Sequence, residues 1–317
     1  MTRKETRFTN VLRSRGVGII LALSGLWMAW RCLPSITPSG VLGDYPEISC
    51  GVNLFFILAT AVSMIAINRR FTLLRTMSVF FAAYFTYITC ATPAVADIFG
   101  PSSLLAWVMM WCMGILFTLY HRRRSDRRIF LIFCLLSAGT MYDWRFAFYI
   151  PLFFVGMVQM RIFRFKKIVA AIVGLLTPPW IVFGLDLLPV SHYSLPNIYF
   201  TPPSILLETP DAWPFLCTVL FTMVVGFVCG STALFRILGY NARARAYNGF
   251  LAMLGIYTGV LAIINFTDIT TYVTLLNACV AMQVGHFFRA TASRRGYIII
   301  LLLIAAYAGL YFWSFSV

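Results

Sequence analysis

The chain has 317 residues, of which 61% are hydrophobic, 16% aromatic and only 11% charged, and its mean hydropathy is +0.85. That balance excludes an ordinary water-soluble globular domain and makes a lipid bilayer the solvent for most of the sequence. The net charge of +15 invites a nucleic-acid reading, but the basic residues are gathered into short clusters between apolar runs, so anionic lipid headgroups are the expected partner and nucleic acid is not.

Apolar runs that approach the roughly 20 residues of a spanning helix lie at 16–33, 51–68, 76–94, 102–120, 129–142, 146–160, 168–185, 213–235, 248–265, 269–288 and 297–316. They are continuous rather than alternating, which favours helices over a barrel, because a lone helix satisfies its own backbone hydrogen bonds in lipid. The expected fold is all-α: a polytopic transmembrane helical bundle of about 11 spans, forming one integral membrane domain over residues 1–317.

At the amino end, Arg3, Lys4, Arg7, Arg13 and Arg15 lead into an apolar run of full spanning length that has no small-residue cleavage site. It reads as an uncleaved first span rather than a signal peptide. The loop "PSITPSGVLGDYPEISC" at 34–50 follows; it is rich in turn formers, carries Asp44 and Glu47, and is flanked by Cys32 and Cys50, a candidate disulfide. Further basic clusters fall at 69–75, at "HRRRSDRR" 121–128, and at 161–167, 236–245 and 289–295, one at every second boundary between runs. Together with the amino-terminal group they hold 23 of the 25 basic residues, so the positive-inside rule sets the amino terminus in the cytoplasm and the carboxyl terminus outside. Eight of the ten acids, including Asp44, Glu47, Asp97 and Asp143, then face outward.

The stretch between Arg128 and Arg161 has 32 residues, whereas two full spans and a turn need more than about 40. The hairpin is short, and its tip, "YDWR" at 142–145, is expected below the outer surface, where Asp143 and Arg145 must face protein or a water-filled cavity, or pair with each other. Within the seventh run "GLLTPPW" at 174–180 places two prolines, which predicts a kink or a break. The long outer loop at 186–212 contains five prolines, no lysine or arginine, and His192; its length and apolar content fit a cap on the membrane surface.

No run carries an aspartate or glutamate near its centre, which counts against proton- or sodium-coupled transport. The eight cysteines form no CxxC pair and the three histidines are dispersed, so no metal site and no cofactor are expected. Walker, dinucleotide and GxSxG signatures are absent too. If the outer-face groups converge, a carboxylate or histidine from Asp44, Glu47, Asp143 and His192 is a candidate general base, and Arg145 a contact for a phosphate leaving group. Lipid-linked glycosyl transfer needs that pairing.

The many short spans, the single long outer loop with a histidine, and the outer-face arginine and acid resemble bacterial O-antigen polymerases and ligases, membrane glycosyltransferases that use polyprenyl-diphosphate glycans. The resemblance implies that Arg145 contacts the diphosphate and that His192 or Asp143 is the base; the chain is shorter than that group and its long loop lacks arginine. The segment from "YDWRFAFYIP" to "GLLTPPW" is also similar to small polytopic membrane proteins of bacteroidete-type bacteria, a resemblance that implies no activity. Three classes stay open: an envelope glycan transferase or polymerase in the bacterial inner membrane, a transporter or flippase, and a non-enzymatic subunit with a membrane-protein partner.

Overall fold

The computed structural model describes residues 15–32, 45–74, 79–97, 99–122, 126–186, 212–237, 239–290 and 294–316. Of the described residues 88% are helical, and none is in a strand. In chain order the helices are α1 (Arg15–Cys32), α2 (Pro46–Phe71), α3 (Phe80–Cys90), α4 (Pro101–Phe117), α5 (Asp126–Tyr142), α6 (Tyr149–Gln159), α7 (Phe165–Gly184), α8 (Trp213–Ile237), α9 (Ala242–Ile264), α10 (Ile269–Ala290) and α11 (Arg294–Trp313). Each coincides with one of the apolar runs. Four helical stretches, Pro46–Phe71, Phe165–Gly184, Trp213–Phe235 and Ala242–Ile264, are long and apolar enough to cross a membrane.

The described chain divides into two compact units. The first takes the residues up to Trp107, those of 212–240 and those from Leu251 onward. At its centre lies α3, all eleven of whose residues are buried, and α10, buried without interruption from Thr271 to His286. Helices this apolar and this enclosed need close neighbours, and small residues provide them. A Cβ at Gly25 of α1 would stand 2.9 Å from the Tyr87 Cα, so only glycine lets these two backbones meet.

Buried polar side chains tie the unit together. Thr89 of α3 accepts from Asn277 of α10 at 3.3 Å, the hydroxyls of Ser102 and Thr274 lie 2.7 Å apart, and those of Thr222 and Tyr307 also 2.7 Å. After Cys90 the chain leaves the helix, makes the single helical turn Pro93–Ala96 and enters α4 only at Pro101. The expected run at 76–94 is thus interrupted, because Pro93 has no N–H with which to continue α3. Asn53 of α2 donates to the carbonyls of Val95 and Ala96, both at 2.8 Å, and so satisfies backbone that the break releases.

The second unit takes residues from Val108 through the described part of the chain to Asp186, with 241–250. Its frame is the hairpin of α5 and α6, with α7 packed along α5. Helix α7 runs unbroken through Pro178 and Pro179, so the expected break is not there. Pro179 cannot donate to the Leu175 carbonyl one turn earlier; instead the Ser137 hydroxyl of α5 donates to that oxygen at 2.6 Å. At Gly174 a Cβ would stand 2.5 Å from the Phe130 carbonyl oxygen, so glycine sets the close approach of the two helices.

Candidate functional site at the hairpin tip

The tip is built from five residues of 3₁₀ helix, Trp144–Phe148, set between α5 and α6. Asp143, in an extended conformation at φ −148°, caps it: its Oδ1 accepts from the Arg145 backbone N–H at 2.9 Å. Its Oδ2 accepts from Arg145 Nη1 at 3.0 Å, which makes the two charged residues an ion pair within one turn. The side chains are only 13% exposed for Asp143 and 19% for Arg145, and the guanidinium carbon lies 5.8 Å from the centre of the Trp144 ring. Pairing makes the two charges neutral overall, which lowers the cost of holding an acid and a base in so shielded a setting.

Below the pair, Phe146 is fully buried against α5, where a Cβ on Gly139 would run into its ring. The Asp143 N–H donates to the Gly139 carbonyl at 2.9 Å and the Phe146 N–H to the Asp143 carbonyl at 3.1 Å. Gly139 and Phe146 thereby fix the direction in which the charged pair points. The α5 arm, with its 17 residues, rises roughly 25 Å at 1.5 Å per residue, less than the about 30 Å of hydrocarbon in a bilayer.

The structure brings Asp143 and Arg145 together. Glu47 lies in the first unit, exposed in the first turn of α2, where its charge complements the helix dipole next to Pro46. Asp44, His192 and the proposed cap at 186–212, apart from Asp186 and residue 212, lie outside the described residues, as does the side chain of Cys32; Cys50 is a buried free thiol. Among the described residues no group of three His, Cys, Asp or Glu side chains gathers to hold a metal. Sequence reasoning also misses Ser137 and Asn53, whose bonds cross between helices and leave no local pattern.

Long apolar helices, polar ties inside their packing and a self-paired charged tip define the class: a polytopic α-helical membrane protein. Comparison with protein-family models, curated proteins and solved structures finds no match for the chain.

Proposed function

We propose that the chain is a multi-pass protein of the bacterial cytoplasmic membrane, crossing it eleven times with its amino terminus inside, and that its hairpin tip transfers or polymerises a lipid-linked glycan of the envelope at the outer face. The observation that carries this reading is the Arg145–Asp143 pair, a guanidinium and a carboxylate 3.0 Å apart, shielded but not sealed. A diphosphate competes for Arg145 through bidentate, charge-assisted hydrogen bonds and frees the Asp143 carboxylate. The acceptor hydroxyl then attacks the anomeric carbon, its proton passes to Asp143, and the bond from that carbon to the phosphate oxygen breaks. The electron pair leaves on the diphosphate, whose charge Arg145 balances.

Binding tests the first step. Native mass spectrometry of the purified full chain with a polyprenyl diphosphate should show a complex that Arg145→Ala weakens at least about tenfold, the scale of one lost charged hydrogen bond. Arg145→Lys restores binding only in part, since an ammonium lacks the planar fork. Equal binding by wild type and Arg145→Ala contradicts the reading.

A non-enzymatic tip has one observation of its own in favour. Both oxygens of Asp143 are already engaged by Arg145, so the cap and the ion pair by themselves account for the two residues. That reading expects tip substitutions to change stability and leave lipid-linked intermediates untouched.

A further inference from the structure

Within the second unit, the end of the α5–α6 hairpin away from the tip gathers basic side chains from three separate segments of the chain. The His121 N–H donates to the Met160 carbonyl at 3.3 Å, and the Lys167 ammonium, on a residue only 2% exposed, donates to the Arg122 carbonyl at 2.7 Å. Tyr247, near the start of α9, donates to the Phe117 carbonyl at 2.9 Å and accepts from Arg243 Nε at 2.7 Å. The described residues of 117–128, 159–167 and 241–250 are thereby tied to one another. They hold nine lysines and arginines, all exposed except Lys167, against one acid, Asp126. Cations collected with so few counter-ions repel one another and attract an anion from outside the chain.

One of these cations stands where local structure asks for a different residue. Helix α6 ends in a Schellman motif: the Ile162 N–H donates to the Met157 carbonyl at 3.0 Å and the Arg161 N–H to the Val158 carbonyl at 2.9 Å. Arg161 therefore holds the left-handed position after the helix, at φ 58°, which glycine usually takes because it has no Cβ to crowd the backbone. Its side chain is exposed and makes no ion pair among the described residues. A residue that breaks a local rule with no compensating contact in the chain points to a role outside it.

The neighbouring side chains indicate what the anion belongs to. In "RIFRFKK", 161–167, Ile162 is buried, while Phe163 and Phe165 are 50% and 80% exposed among Arg161, Arg164 and Lys166. Phe165 is also the first residue of α7, a helix long and apolar enough to cross a membrane, so the strip stands at the edge of the hydrocarbon. A soluble anion gains nothing from two exposed phenyl rings beside the cations. A phospholipid gains from both: its phosphate meets the guanidinium, and the rings lie against the boundary of headgroup and acyl chain.

We propose that this face of the second unit binds the phosphate headgroup of an anionic phospholipid, with Arg161 held in the left-handed position to contact it. The orientation proposed above puts that lipid in the inner leaflet. The binding itself depends neither on that orientation nor on the chemistry of the hairpin tip.

The test is native mass spectrometry of the purified full chain in detergent with phosphatidylglycerol or phosphatidylcholine, alongside thermal unfolding of each variant with phosphatidylcholine alone. Wild type should retain phosphatidylglycerol in preference. Arg161→Gly should lower that retention roughly fivefold, the value of one basic residue at an anionic surface, and yet unfold at or above the wild-type temperature, since glycine suits the site. Arg70→Gln removes an equal charge from the exposed end of α2 in the first unit and should leave retention unchanged. Equal retention of the two lipids by wild type, or retention that Arg161→Gly leaves intact, overturns the proposal. An equal loss with Arg70→Gln does so too, because it reduces the effect to net charge, and so does earlier unfolding of Arg161→Gly, which would make the arginine a structural residue. Displacement of the lipid by inorganic phosphate, beyond what chloride of equal ionic strength causes, would make a soluble anion the occupant and also overturns it.

Discussion

Ser137 and Pro179 form a repaired defect: a proline removes a donor from one helix, and a hydroxyl on its neighbour replaces it at 2.6 Å. Ser137→Ala leaves the Leu175 carbonyl short of this partner and should lower stability by about 1–3 kcal/mol, read as thermal unfolding in detergent. In a Pro179→Ala background the new N–H can serve that carbonyl, so the same serine change should cost clearly less; strict additivity of the two changes would refute the repair. At the tip, Asp143→Ala removes both cap and ion pair and should lower stability by at least about 1 kcal/mol, while Asp143→Asn keeps the cap but leaves Arg145 without its counter-ion and should lower it by less, both read as thermal unfolding. Asn cannot take a proton, however, so that variant separates the structural from the chemical role of the carboxylate. The charged tip is readable from sequence because an acid and a base in an apolar stretch are conspicuous; the serine is not, since nothing local says which carbonyl on another helix it will meet.

Among the helices, the α5–α6 hairpin depends on shape as much as on charge. Gly139→Ala drives a methyl group into the Phe146 ring, an overpacking that should cost about 1–3 kcal/mol, and pairing it with Phe146→Leu should recover part of the loss. The interrupted segment after α3 depends instead on Asn53, whose two bonds at 2.8 Å hold the turn Pro93–Ala96. Asn53→Leu loses both donors and should destabilise the protein by about 1–3 kcal/mol, and hydrogen exchange should rise locally at residues 95–100 rather than along α2; a uniform rise would contradict a local role. The positions of the helices follow from apolar runs, and those are visible one residue at a time. Their breaks are harder to foresee: two prolines in α7 leave the helix intact, whereas Pro93 ends one, because the neighbouring side chains decide which freed carbonyls find partners. The early start of α2 had a local signal, the Pro46–Glu47 pair that suits a first helical turn.

For the whole molecule, composition alone points to the bilayer as solvent, and the orientation proposed within it rests on the spacing of basic clusters. Substituted-cysteine labelling on a cysteine-free background should find Ala147→Cys, an exposed position in the tip, reactive to an impermeant maleimide from the outer side and unreactive from the cytoplasm. Labelling from the cytoplasmic side alone would reverse the orientation and with it the proposed outer-face site. Substrate chemistry is a different matter, because the tip's two charged groups serve equally as cap, ion pair or transfer site, and only a substrate distinguishes these. The decisive measurement is the profile of lipid-linked glycans in a deletion strain carrying wild type, Asp143→Asn or Arg145→Ala at matched membrane levels. An intermediate that accumulates in the outer leaflet, is cleared by wild type and persists with either variant is the expected result. A profile unchanged by the deletion would contradict transfer chemistry at this tip.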